Sequence, residues 1–63
     1  MKTDQLYIDH ILFSIGKILK FTENISHDDF AANEMLQDAV IRNIEIIGEA
    51  TQKITLDFKK SLL

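Results

Sequence analysis

Four charged residues recur at intervals of three or four in the second half of the chain: Asp38, Arg42, Glu45 and Glu49. On a helix this spacing places them along one face. Carboxylates act as general acids, general bases or metal ligands only where they converge in a cleft. We therefore interpret these four residues as a polar, salt-bridged scaffold, in which Asp38 and Arg42 have the acid-then-base spacing that stabilises a helix.

The two histidines are the other candidates for acid-base or metal chemistry. His10 and His27 lie far apart and the chain has no cysteine, so the usual zinc ligand sets are missing. His27 is followed by Asp28 and Asp29, which we interpret as acids at an exposed helix start, near the positive end of the helix dipole. No glycine-rich phosphate loop or nucleophile motif occurs. We predict no catalytic residue, no metal site and no cofactor.

The elements that carry these residues are predicted to be helices. The chain has no proline, and a polar cluster at residues 22–24 makes the first break. Apolar residues at helical spacing predict one helix over about residues 4–21, with Thr3 or Asp4 as its N-cap. The apolar residues of this helix fall into one stripe, which comprises Ile8, Ile11, Leu12, Ile15, Ile18 and Leu19.

A short turn and a second long helix follow the break. Ser26 precedes a helical turn over about residues 27–31, and Asn33 caps a helix over about residues 34–56. Two long helices with a short connection are expected to run antiparallel. The predicted fold class is therefore all-α, an antiparallel helical hairpin that forms a single domain over residues 1–63.

This hairpin is predicted to have more apolar surface than it can bury. A chain of 63 residues buries only about 60% of its unfolded surface, and a disulfide cannot assist it because cysteine is absent. The second helix has an apolar arc wider than the roughly 100° of an ordinary surface helix, and the first has a second, smaller patch. We expect homo-oligomers in which hairpins pair into a four-helix bundle. The predicted interface or packing residues are Leu6, Phe13, Ile41, Asn43, Ile44, Ile46 and Gly48.

Two of these residues are open to more than one interpretation. Asn43 falls in the middle of the wide arc, where it could fix the packing register or bond a neighbouring helix, or else have a functional role. Gly48 lies inside a helix at a cost of about 1 kcal/mol relative to alanine. It could permit close helix approach, or be a tolerated surface glycine.

Charge and hydropathy restrict the partners. The formal net charge of −3 gives no basic footprint for nucleic-acid phosphates, so charge does not support RNA binding. No apolar run approaches the roughly 18 to 20 residues of a membrane span, and the first residues lack the pattern of a signal peptide. We expect a cytoplasmic protein without a membrane partner.

Residues 37–50, with the sequence QDAVIRNIEIIGEA, resemble the signature of the HepT-like family of the HEPN superfamily. The opening residues 7–11 and the turn over residues 22–30 are similar to the same family's first helix and loop. The resemblance implies a helical bundle that commonly forms homodimers. It also implies kinship with ribonuclease toxins that are paired with a nucleotidyltransferase antitoxin of the minimal type.

The resemblance covers the family's first half only. The family's ribonuclease motif is an Arg followed after a short spacer by a His, and after Arg42 the corresponding positions hold Ile47, Gly48 and Glu49. We therefore expect a chain truncated before the motif, non-catalytic alone, that acts as a self-associating helical module. Two alternatives are a part of an active toxin with its antitoxin, and a module that binds a full-length family member.

Overall fold

A computed structural model describes the backbone of residues 2–62, and the side chains of residues 4–56, 59 and 60. Three helices follow one another: α1 over Lys2–Thr22, α2 over His27–Ala31 and α3 over Glu34–Leu62. The long helices α1 and α3 pack side by side and α2 lies against α3. No strand occurs between residues 2 and 62. The predicted all-α helical hairpin is confirmed, as a rod of 48 × 15 × 14 Å.

The connection between the long helices is held by two side-chain caps. The Ser26 Oγ accepts a hydrogen bond from the Asp29 backbone N–H at 3.1 Å, and the Asn33 Oδ1 accepts one from the Leu36 backbone N–H at 3.0 Å. Both caps were predicted, and each satisfies a donor that the helix start leaves open. Before them, Asn24 adopts a φ of 60°, a left-handed conformation that asparagine tolerates better than most residues.

The outer ends of the long helices differ from the predicted bounds. Thr3 and Asp4 are not N-caps, because α1 already begins at Lys2; Asp4 lies in the first turn, where the dipole favours an acid. Helix α3 continues to Leu62 instead of ending near residue 56. No glycine or proline follows Gly48, and Lys59 and Lys60 suit the negative end of the dipole.

The contact between α1 and α3, called the seam below, has small and polar residues at its most buried positions. Among the described side chains only three are buried, Ser14 at 3% exposure and Asn43 and Ala50 at 5%. The larger apolar residues beside them, such as Ile11 and Ile47, are only half-buried. Small side chains let helices approach closely. They remove little apolar area from water, so the half-buried apolar residues beside them contribute the larger part of the apolar burial.

The apolar stripe of α1 is covered along one edge only. Ile11 and Ile18 face the seam and are half-buried, whereas Ile8, Leu12 and Leu19 from the same stripe are exposed. The six residues of the stripe therefore do not form one buried face. Because Ser14 allows close contact, α3 packs against the Ser14 side of α1 and leaves the bulkier edge open.

Candidate functional site

The edge left open on α1 continues onto α3 and forms one broad surface. Each residue of an α-helix is rotated by 100° about the helix axis from the residue before it. In an antiparallel hairpin, residues of the two helices that are rotated by the same angle away from the contact line lie on the same side of the hairpin. This brings part of the α1 stripe beside the outer apolar residues of α3. We call the surface the uncharged face, and it comprises Ile8, Leu12, Ile15 and Leu19 of α1 with Ile41 and Ile44 of α3.

The uncharged face offers apolar contact and little else. Its six large side chains are between 40% and 66% exposed. On the α3 side it continues through Gly48, Thr51 and Thr55, and the two threonine hydroxyls already donate to carbonyls of their own helix, to Ile47 at 2.8 Å and to Thr51 at 3.0 Å. By helical position, no described charged side chain interrupts it. Such a surface suits helix packing and lacks groups for catalysis.

Gly48 has no close neighbour within the hairpin. A Cβ built on this glycine would meet nothing within 4 Å, so Gly48 does not bring α1 and α3 together. Within this chain the position fits the alternative of a tolerated surface glycine. Close approach by a helix from outside the hairpin stays a prediction, and the open space beside Gly48 would accommodate it.

Asn43 lies in the seam and bonds its own helix. Its Nδ2 donates to the Ala39 carbonyl oxygen at 2.8 Å, whereas its buried Oδ1 has no hydrogen-bond partner among the described residues. An unpaired buried acceptor costs about 1 to 3 kcal/mol. The interpretation that Asn43 bonds the neighbouring helix does not hold inside this hairpin.

The opposite side of the hairpin, called the charged side, contains a shallow groove of about 160 Å³. The antiparallel register brings His10 of α1 to the same groove as Glu49 and Lys53 of α3. Residue spacing does not predict this combination, because the two helices are separated by a turn whose length sets their register. The groove is lined by Tyr7, His10, Ile46, Glu49, Ala50 and Lys53. It therefore combines an imidazole, a carboxylate and an ammonium group on an open surface.

The four residues of the predicted polar scaffold also lie on or next to the charged side. Their ion pairing differs from the prediction. The guanidinium Nη1 of Arg42 is 3.9 Å from the Glu49 carboxylate, and not beside Asp38 as predicted. Arg42 and Glu49 are seven residues apart and so lie almost on one line along α3. Both side chains are about two-thirds exposed, at 66% and 69%, so this pair adds little stability. Asp38 and Glu45 are exposed as well.

The predicted small patch on α1 is exposed on the charged side. Leu6 and Phe13 are both more than half exposed, and the Lys17 Nζ lies 4.8 Å from the centre of the Phe13 ring. This cation–π contact covers part of the ring with a charge. Ile46, also predicted as an interface residue, is half-buried and lines the groove with His10.

The second histidine lies away from both surfaces, at the start of α2. Its Nδ1 is 3.7 Å from an Asp28 carboxylate oxygen, and both side chains are fully exposed. In the described part of the chain, no three His, Cys, Asp or Glu residues are placed to hold a metal ion. None of the described helices combines the length and apolarity that crossing a bilayer requires.

Comparison with known proteins places these surfaces in a family context. Residues 11–62 match the family model described as Ribonuclease HepT-like. A protein of Thermococcus cleftensis named "Probable ribonuclease HepT" is 44% identical over 54 residues, which are 86% of this chain and 49% of that protein. A "Putative RNase" of Caldanaerobacter subterraneus is 35% identical over 60 residues, 95% of this chain and 54% of the relative.

A longer relative shares the same region. A Methanocaldococcus jannaschii protein named "Gamma-glutamylcyclotransferase and putative RNase" is 46% identical over 59 residues, 94% of this chain and 27% of that protein. The chain thus spans about half the length of the first two relatives and about a quarter of the third. None of the solved structures compared with the chain matches it. The family match over most of the chain confirms the resemblance noted in the sequence: this chain belongs to the HepT-like ribonuclease family.

Proposed function

We propose that this chain serves as a helical packing module of the HepT-like ribonuclease family and does not cleave RNA by itself. The observation that carries the proposal is the uncharged face, where six large apolar side chains remain 40–66% exposed after the hairpin has formed. Burial of such area is the main favourable term in helix association. The module acts by packing against further helices, and self-association into a bundle is the arrangement we propose.

The described polar groups support the non-catalytic part of the proposal. RNA cleavage needs a base or acid held near the 2′-hydroxyl and a cation near the phosphate, both positioned in advance. His10 and Lys53 share a groove, yet both are exposed side chains, and long exposed side chains are costly to fix in one geometry. The Arg and His spacing of the family's motif is also missing after Arg42.

A second candidate is a part of an active ribonuclease toxin that is paired with a nucleotidyltransferase antitoxin. Two observations favour it. The relatives carry ribonuclease names and are about twice as long as this chain, and the lining of the charged groove includes His10, Glu49 and Lys53, with Arg42 paired to Glu49. Under this candidate the hairpin supplies half of a catalytic domain. Either candidate would act together with proteins that cleave cellular RNA, so we propose a cytoplasmic location for the chain.

A cleavage assay on the purified chain separates the two candidates. Labelled single-stranded RNA is incubated with the wild-type chain and with His10→Ala, and the products are resolved by gel electrophoresis. We expect no cleavage above the buffer control. Cleavage by the wild-type chain that His10→Ala abolishes would replace the packing module by the second candidate. Cleavage that persists in His10→Ala and elutes together with the chain in a further purification step would also contradict the proposal, because residues other than His10 would then be responsible.

A further inference from the structure

We infer that a groove along α1 binds an acidic amphipathic helix of a different protein. The groove has a volume of about 480 Å³ and lies on the side of α1 that faces away from α3, between the uncharged face and the charged side. We call it the α1 groove, and it is lined by Leu12, Phe13, Gly16, Lys17, Lys20 and Phe21. It shares only Leu12 with the uncharged face, so it is a second interaction surface, separate from the one that carries the proposed function.

The shape of the α1 groove fits a helix. Its two walls are rows of side chains with the four-residue spacing of a helix surface: Phe13, Lys17 and Phe21 on one side, and Leu12, Gly16 and Lys20 on the other. The space between two such rows receives a ridge of side chains when another helix packs there. From its first to its last lining residue the groove runs for roughly 14 Å, about two and a half helical turns.

Gly16 forms the floor of the groove, although nothing in the hairpin requires a glycine there. A Cβ built at this position would meet nothing within 4 Å, and the backbone φ of Gly16 is not positive. A glycine inside a helix is destabilising relative to alanine. Close approach by an outside helix would offset this cost, because the missing side chain leaves room for a large apolar residue of the partner.

The apolar walls of the groove favour a macromolecule over a small ligand. Phe13 is 66% exposed and Phe21 is 38% exposed. A second hollow of about 260 Å³ begins at Phe21 and continues to Met35 and Leu36 near the start of α3. A small molecule in a groove lined by α1 alone would keep much of its surface in water, whereas ligand pockets usually cover most of their ligand. A helix is long enough to cover apolar side chains in both hollows.

The charge of the groove favours an acidic partner. Lys17 and Lys20 both line it, and neither ammonium group has a described carboxylate within 4 Å. Aspartate or glutamate residues beside the apolar ridge of a partner helix would pair with these two groups. Such complementary charges at the rim of an interface set the orientation of the complex and speed its formation.

A single-stranded nucleic acid fits the α1 groove less well than an acidic helix. Asp9 lies about one turn before the groove and Glu23 about one turn after it, so a polyanion laid along α1 would meet a carboxylate at each end. The net charge of −3 adds to this repulsion. A helix whose acidic residues lie only beside Lys17 and Lys20 avoids both carboxylates.

The test selects helical peptides on the full chain. A displayed library of amphipathic peptides of about 20 residues, long enough to form a helix, is selected on the wild-type chain, and peptides that also bind Gly16→Leu are removed. The leucine fills the floor of the groove, and its Cβ contacts nothing in the hairpin, so the variant should keep its helix content in circular dichroism. Fluorescence anisotropy then gives the dissociation constants of the retained peptides.

We expect the retained peptides to have aspartate or glutamate beside a large apolar residue. Lys20→Glu should raise their dissociation constant about 10-fold at low salt, since it turns an attraction into a repulsion. Lys53→Glu changes the net charge equally but lies in the groove on the charged side, and it should change the constant less than about twofold. Gly48→Leu, the matched glycine variant on α3, should leave the constant unchanged.

Two outcomes would overturn the inference. The first is a selection that retains no peptide, and an oligouridine RNA that binds the wild-type chain but not Gly16→Leu would then assign the groove to nucleic acid. The second is a set of retained peptides that lack acidic residues or bind Lys20→Glu as tightly as the wild-type chain. Neither outcome affects the RNA cleavage assay, so failure of this inference and failure of the proposed function are distinguishable.

Discussion

The seam and the uncharged face differ in the side chains that they bury and expose. The seam buries Ser14, Asn43 and Ala50, whereas the uncharged face exposes side chains as large as Leu19 and Ile44. A self-sufficient domain places its large apolar residues inside and its polar ones outside. The hairpin therefore leaves these large side chains available for the packing that we propose, while its most buried positions hold small and polar residues.

A charge placed in the seam should have the largest effect on folding. Ala50→Asp puts a carboxylate at a position that is 5% exposed, and we expect it to lower the free energy of unfolding by about 3 kcal/mol or more. Urea unfolding followed by circular dichroism measures the change. The matched control is Gln52→Asp at an exposed position on the same helix, which should cost only a few tenths of a kcal/mol. Equal losses in both variants would contradict the seam as the folded contact.

Asn43→Leu replaces the buried amide of the seam with an apolar side chain like those of the uncharged face. It removes a buried Oδ1 without a partner among the described residues, and we expect the chain to gain about 1 to 2 kcal/mol in urea unfolding. Asn43→Asp is the control of similar shape and should destabilise the fold. A loss of stability in Asn43→Leu would contradict the interpretation that the unpaired Oδ1 is a net cost to the fold.

Asn33→Ala provides a reference value for the other variants, since it changes neither the seam nor the uncharged face. It removes the side-chain cap of α3, and the expected loss is about 1 kcal/mol. Thermal unfolding measures it, and Asn33→Asp, which keeps an acceptor oxygen, should retain most of the stability. A cap variant that costs more than Ala50→Asp would mean that local helix formation outweighs packing in this chain.

The charged side should give the smallest effect. Arg42→Gln breaks an exposed pair whose atoms are 3.9 Å apart, and we expect a change below about 0.5 kcal/mol, as for most exposed ion pairs. Glu49→Gln is the partner control, and both are measured at low and high salt. A loss well above 1 kcal/mol that is the same at low and high salt would contradict an exposed pair, because salt screens exposed charges much more than buried ones.

Local features of the fold could be predicted from the sequence. The spacing of apolar residues predicts the two long helices. The caps at Ser26 and Asn33 are predictable because each side chain bonds a backbone N–H three residues further along the chain. The exposure of Ile41 and Ile44 could also be predicted, because the apolar arc of the second long helix is too wide for one partner helix to cover.

Features that depend on how the helices meet could not be predicted. A helical wheel groups residues by apolarity, so it placed Leu12 and Leu19 in one stripe with Ile11 and did not show which edge of the stripe α3 covers. The packing instead follows shape and centres on Ser14, which lets the helices approach. The shared groove of His10 and Lys53 depends on the register of the two helices in the hairpin. The spacing of residues within one helix does not determine that register. The Arg42 to Glu49 pair depends on the rotamers of two long side chains.

The elongated rod has a consequence for how the protein moves in solution. At 48 × 15 × 14 Å the single hairpin is about three times longer than it is wide. Side-by-side pairing doubles the mass while leaving the length nearly unchanged, so the frictional ratio falls as the particle becomes rounder. The pair would then diffuse almost as fast as one hairpin, and its elution from a sizing column would underestimate the change in mass.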